Sequence, residues 1–203
     1  MKNKLALLFA AIAWFAVLTQ YYLMIENRGA SIFETTIRFC SFFTILTNAL
    51  VAIYFTLSLQ KNSNCSIINK PGTLTAITVY ISIVGLVYQV LLRHVWEPQG
   101  LQRIVDELLH SVIPILVFIF WFLYEEKKSL TYKTIPLWLI FPFIYLIYIL
   151  IRGYFSDFYP YPFVDVISLG FKQVLLNSAG LILFFIFISA GYIALGKGLK
   201  GRS

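Results

Sequence analysis

Residues 104–124 read Ile104-Val105-Asp106-Glu107-Leu108-Leu109-His110-Ser111-Val112-Ile113-Pro114-Ile115-Leu116-Val117-Phe118-Ile119-Phe120-Trp121-Phe122-Leu123-Tyr124. Beyond Glu107 the run is apolar except for His110 and Ser111. A helix gains about 1.5 Å per residue, so a stretch of this length covers a hydrocarbon core of about 30 Å. A transmembrane barrel would alternate apolar and polar residues in segments of about 10, and this run is continuous. Five more stretches have the same character, at 5–25, 36–60, 73–92, 134–151 and 172–194. The connections are short, the longest being 152–171. The expected fold is an all-α integral membrane protein, a bundle of six transmembrane helices forming a single domain over 1–203, with no internal repeat.

Composition points the same way. Of 203 residues, 60% are hydrophobic and 12% charged. A soluble domain has about 45–50% apolar and about 25% charged residues. The remaining polar material is too little to cover a water-facing surface, which excludes a soluble enzyme, a nucleic-acid binder and a disordered chain. Two cysteines, Cys40 and Cys65, make neither a disulfide framework nor a metal cluster. At the N-terminus, Lys2 and Lys4 precede an apolar run that continues through Trp14, Phe15, Val17 and Leu18. That run is too long for the core of a signal peptide, so a retained first span is expected.

The net charge of +7 reads as a topology signal. One side of the six spans holds Lys2, Lys4, Lys61, Lys70, Lys127, Lys128, Lys133, Lys197, Lys200 and Arg202, ten cations, against Glu125 and Glu126. The other holds Arg28, Arg38, Arg93, Arg103, Arg152 and Lys172, six cations, against seven acids. Cations collect on the cytoplasmic side, which places both termini and Cys65 in the cytoplasm.

Polar groups within a bilayer are costly unless paired, so their positions are informative. They gather in the outer half: His94, His110 and Arg38; Ser41, Thr44, Thr47 and Asn48 in span two; Gln89 and Arg93 closing span three; Arg152 closing span five; Gln173 and Asn177 opening span six. This asymmetry suggests a polar cavity open to the outer face. Ser41, Thr44, Thr47 and Asn48 fall on one stripe of a continuous helix. Hydroxyls and amides of this kind also serve as glue between membrane helices. His110 lies one turn from Asp106 and Glu107, whose carboxylates could orient an imidazole. Pro114 removes the amide that would bond the His110 carbonyl, which favours a kink.

Depth adds a constraint. Thr44 is six residues past Arg38 and His110 seven past Arg103, about 9 and 10 Å along their axes. If the two arginines mark one interface, the two side chains lie at similar depth, and a Thr–His pair is the minimum for a nucleophile and its base. Thr47 and Ser41 are alternative hydroxyls, and Asn48 and Asn177 are candidate oxyanion donors. In the segment Arg152 to Asp165, aromatics alternate with prolines from Tyr159 to Phe163. The segment reads either as an interfacial anchor or as a stiff lid that positions Arg152, Tyr161 or Asp165. There is no phosphate-binding glycine loop, no zinc spacing and no G-x-S-x-G elbow, so no cofactor or metal is expected.

Taken together, Ser41-Phe42-Phe43-Thr44-Ile45-Leu46-Thr47-Asn48, His110 and Tyr161-Pro162-Phe163 resemble the androgen-induced gene product family. Its animal members include the androgen-dependent regulator of tissue factor pathway inhibitor. The resemblance runs over nearly the whole chain in motif order and suggests a compact bacterial relative in the cytoplasmic membrane. It implies a multi-span hydrolase of fatty acid esters of hydroxy fatty acids, with membrane lipids and a lipid ester as its partners. Thr44 would be the nucleophile and His110 the histidine. Thr47 stands where the animal proteins carry an acid, and the spacing from histidine to the next proline differs. The competing expectations are a transporter or lipid-binding protein built on the polar cavity, and a non-catalytic scaffold.

Overall fold

The structure, a computed structural model, describes residues 1–60, 68, 70–95 and 97–200. Lys61, Cys65 and Arg202, which figure in the charge sorting above, lie outside the described residues. Among the described residues every regular element is helical and none is a strand. Five helical stretches are long and apolar enough to cross a membrane, and a sixth qualifies if a sharply bent pair counts as one span. The chain divides into two compact units, Met1–Ser129 and Leu130–Ser203.

In the first unit, α1 (Lys2–Glu26) packs on α3 (Phe43–Ser58), and both contact α6 (Ile113–Tyr124) or the turn before it. Ala6, Ala10, Ala13 and Ala16 of α1 are buried, and such small residues let helix backbones approach closely. Phe9, Phe55 and Phe120 then lock the three helices together edge to face, with ring centroids 4.9–6.0 Å apart. α4 (Thr73–Val87) lies against α3 and α6.

Two departures from regular helix shape this unit. The second span is not one helix: α2 (Ile32–Ser41) and α3 meet at Phe42 with a bend of 77°. Phe42 takes an extended conformation (φ −81°, ψ 123°) and serves as C-cap of one helix and N-cap of the next. The continuous stripe expected for Ser41, Thr44, Thr47 and Asn48 is therefore interrupted, and Ser41 belongs to the other helix. No Pro or Gly marks the break. The Ser41 hydroxyl bonds back to the Ile37 carbonyl at 2.7 Å, a contact that often bends helices, and the bend leaves Ser41, Phe43 and Thr44 all buried.

The other departure is a pair of π-helical turns. Tyr88–Leu92 continues α4, and Leu108–Val112 joins α5 (Gly100–Glu107) to α6. The Ile113 amide reaches back to the Leu108 carbonyl and the Arg93 amide to the Tyr88 carbonyl. The disturbance expected from Pro114 takes this form, a widened turn carrying His110. Gly85 admits it: a Cβ there would lie 3.0 Å from the His110 carbonyl oxygen and 3.3 Å from the Pro114 ring.

In the second unit, α7 (Ile135–Ser156) runs a turn beyond the expected end of span five, so Arg152 to Ser156 are helical. It starts with Pro136 in the first turn and ends at Asp157 in the left-handed region, with φ 52°. Gly153 is required here, because a Cβ would fall 2.0 Å from the Tyr159 ring. After a 3-10 turn at Pro162–Val164 and a short helix α8 (Val166–Leu169), α9 (Phe171–Lys200) returns beside α7. Ile149, Val164 and Val174 form its buried cluster, covered by Tyr145, Tyr159, Tyr161 and Phe163. Leu137, Phe143, Ile144, Leu183 and Phe187 are among the large apolar side chains left outside. Apolar helices of this length, with so much of their surface uncovered, suit lipid rather than water.

Candidate active site

Thr44 is the second residue of α3, just past the bend. His110 is at the centre of the second π turn. Their side chains meet in the first unit: Thr44 Oγ1 lies 3.4 Å from His110 Nε2. Thr44 is 7% exposed, so the pair is nearly closed to the outside.

The far side of the imidazole is equally occupied. His110 Nδ1 is 2.9 Å from the backbone oxygen of Asp106 and 3.2 Å from its Oδ1. The Tyr88 hydroxyl donates to Asp106 Oδ2. The Tyr88 ring also stacks on the imidazole, with centroids 4.1 Å apart and planes 13° from parallel. Asp106 is itself buried.

Glu107, the other acid near His110 in sequence, points elsewhere. It pairs with Arg93 and accepts the Ser111 hydroxyl at 2.7 Å. Gln89 bridges this group, donating to Ser111 Oγ at 2.9 Å while accepting from Arg93 Nη1 at 2.9 Å. The two π turns are thus tied side chain to side chain. His94 lies past the first of them in an exposed turn.

Asn48 joins α3 to the second π turn. Its amide donates to the Thr44 carbonyl at 2.8 Å and the Leu109 carbonyl at 3.3 Å. Both amide hydrogens are therefore used, and neither is free to serve as an oxyanion donor. Its Oδ1 and the Thr47 hydroxyl are buried without a hydrogen-bond partner. Of the two threonines on this face of α3, Thr44 is the one whose hydroxyl meets a base.

Five residues singled out from the sequence sit in the second unit. Arg152 donates to Ser156 Oγ at 3.0 Å and to the Phe158 carbonyl at 3.4 Å, and its guanidinium lies over the Phe158 ring. Tyr161 stacks on Phe163. Asn177 donates to the Phe163 carbonyl at 2.9 Å, and Gln173 donates to Asn177. Asp165 caps α8, accepting from the Ile167 and Ser168 amides and the Ser168 hydroxyl. The Ser168 hydroxyl, then these amides, hold its carboxyl below the usual carboxylate range. In this unit, Arg152, Tyr161, Asn177 and Asp165 tie the segment after α7 to its flanking helices or close turns within it, while Gln173 bonds along α9.

Tyr88 is the site residue that sequence reading missed. It looks like one more interfacial tyrosine at the end of a span, and nothing in its spacing from His110 reveals a stacked pair. Among the described residues no three His, Cys, Asp or Glu side chains form a group that could hold a metal ion. No protein-family model, curated protein or solved structure matches the chain.

Proposed function

We propose that the chain is a membrane-embedded lipid-ester hydrolase in which Thr44 is the nucleophile and His110 the general base. The observation that carries this reading is the 3.4 Å approach of the Thr44 hydroxyl to His110 Nε2. A threonine hydroxyl is a weak nucleophile until a base takes its proton. A separation slightly beyond hydrogen-bond length is common in unliganded sites and closes when substrate is bound.

In the first step, Thr44 Oγ1 bonds to the ester carbonyl carbon as its proton passes to His110 Nε2. The tetrahedral intermediate then breaks its bond to the leaving oxygen, which takes the proton from His110 and departs as the alcohol. Water attacks the acyl-threonine, with His110 again accepting a proton. The fatty acid leaves and Thr44 regains its hydrogen. Thr44 lies in the first turn of α3, where the positive end of the helix dipole favours negative charge developing at that point.

The reading extends to topology and substrate. Six spans with the bent pair counted as one, both termini cytoplasmic and the site near the outer face of a bacterial cytoplasmic membrane fit the charge distribution. A site flanked by apolar helices suits an acyl ester that enters from the lipid side, such as a fatty acid ester of a hydroxy fatty acid. The test is hydrolysis of such an ester by purified protein in detergent. Activity that disappears in Thr44→Ala and His110→Ala supports the reading; undiminished turnover in Thr44→Ala overturns it. A transporter built on the buried Asp106–His110 pair would instead need a gradient, and turnover in detergent counts against it.

A further inference from the structure

We propose that Asp106 and Tyr88 are positioning residues of this site: Asp106 fixes the proton of His110 on Nδ1, and Tyr88 fixes Asp106. The proposal rests on the hydrolase reading only for its effect on rate; its claim about the imidazole stands on geometry alone.

Two oxygens face His110 Nδ1, the Asp106 carbonyl at 2.9 Å and its Oδ1 at 3.2 Å. Both are acceptors. A lone pair on Nδ1 would face two lone pairs, so the ring proton belongs on Nδ1. Nε2 then carries the lone pair and can only accept, and the group opposite it is the Thr44 hydroxyl. The same logic orders the rest of the chain. Asp106 Oδ2 accepts the Tyr88 hydroxyl, so each side-chain oxygen of Asp106 faces a donor.

The donors therefore converge on Asp106, with Thr44 giving to His110 and His110 to Asp106 from one side and Tyr88 giving to Asp106 from the other. Taking a proton onto Nε2 makes an imidazolium beside a buried carboxylate, in surroundings where opposite charges attract far more strongly than in water. The backbone supports this arrangement. Tyr88 and His110 each sit in a π turn, and the Arg93–Glu107–Ser111–Gln89 set ties those turns together. Stacking at 4.1 Å removes the ring's freedom to rotate about its own bond.

The test uses full-length protein in detergent with nitrogen-labelled histidine. The chain has two histidines, so His94→Gln leaves His110 as the sole signal. Nitrogen shifts of the neutral ring should report the Nδ1–H tautomer with no substrate present. A dominant Nε2–H tautomer overturns the proposal without any change at position 106. In ester turnover, Asp106→Asn should lower kcat about 100-fold with KM nearly unchanged, and Tyr88→Phe about 10-fold. Because Tyr88 acts through Asp106, the double variant should be no slower than Asp106→Asn alone. Multiplying effects, or a change confined to KM, overturn it. If the ester is not cleaved at all, the hydrolase reading fails while the tautomer measurement still decides the positioning claim.

Discussion

The packed pair α4 and α6 carries a polar cluster at each end, and the two ends differ in kind. At one end Thr75, buried between helices, accepts the Trp121 indole N–H at 2.9 Å and donates to Glu125 at 3.0 Å. The helices there are regular and the three residues satisfy one another. At the other end Tyr88, Asp106, His110 and Thr44 also form a chain, but the helices are widened into π turns, and α3 begins at a sharp bend. Buried acceptor atoms of Asn48 and Thr47 remain without partners beside it. Both clusters hold helices together. Only the second sets a hydroxyl against an imidazole and departs from regular backbone to do so, and such irregularities are frequent at functional sites.

Substitutions at the two ends test this contrast. The largest effect belongs to the Thr44 hydroxyl: Thr44→Ala should cut ester turnover at least about 1,000-fold while the thermal midpoint in detergent stays close to the parent's. Thr75→Val at the opposite end should do the reverse. Turnover should stay within about two-fold, while loss of the acceptor for the buried Trp121 N–H costs about 1–3 kcal/mol, read from denaturation. Equal losses of turnover in these two variants would erase the distinction between the ends.

Gly85→Ala tests how the site is seated. Its methyl would press the His110 carbonyl, a backbone atom that yields little, so we expect a loss of about 1–3 kcal/mol together with slower turnover. The smallest expected effect is in the second unit, at Asp165. Its carboxyl is held below the ordinary range, so the cap is fully effective above the unfolded-state value of about 4. It is lost as pH falls through the lower folded value. Protection of the Ile167 and Ser168 amides from exchange should decline with acid over that window and become pH-independent in Asp165→Asn.

Much of this was legible in the sequence, and the reasons for the rest are physical. Long apolar runs specify helices almost by themselves, and helical stretches such as Thr73–Leu92 fall where the apolar run predicts. The break at Phe42 carries no Pro or Gly, so a local reading passes over it. Equal depth of Thr44 and His110 presupposes a straight second span, whereas the span is bent by 77° and Thr44 meets His110 from just past the bend. Asp106 stood out through its spacing from His110, but choosing it over Glu107 required the π turn and the competing Arg93 and Ser111. Tyr88 comes from another helix, and local sequence carries no signal for such a contact.

The most direct test of the central claim is the site of covalent labelling by a fluorophosphonate probe, read by peptide mass spectrometry of the purified protein. A single adduct on Thr44, absent from His110→Ala, is the expected result. An adduct on another residue with Thr44 unmodified, or labelling that persists in Thr44→Ala, would contradict it.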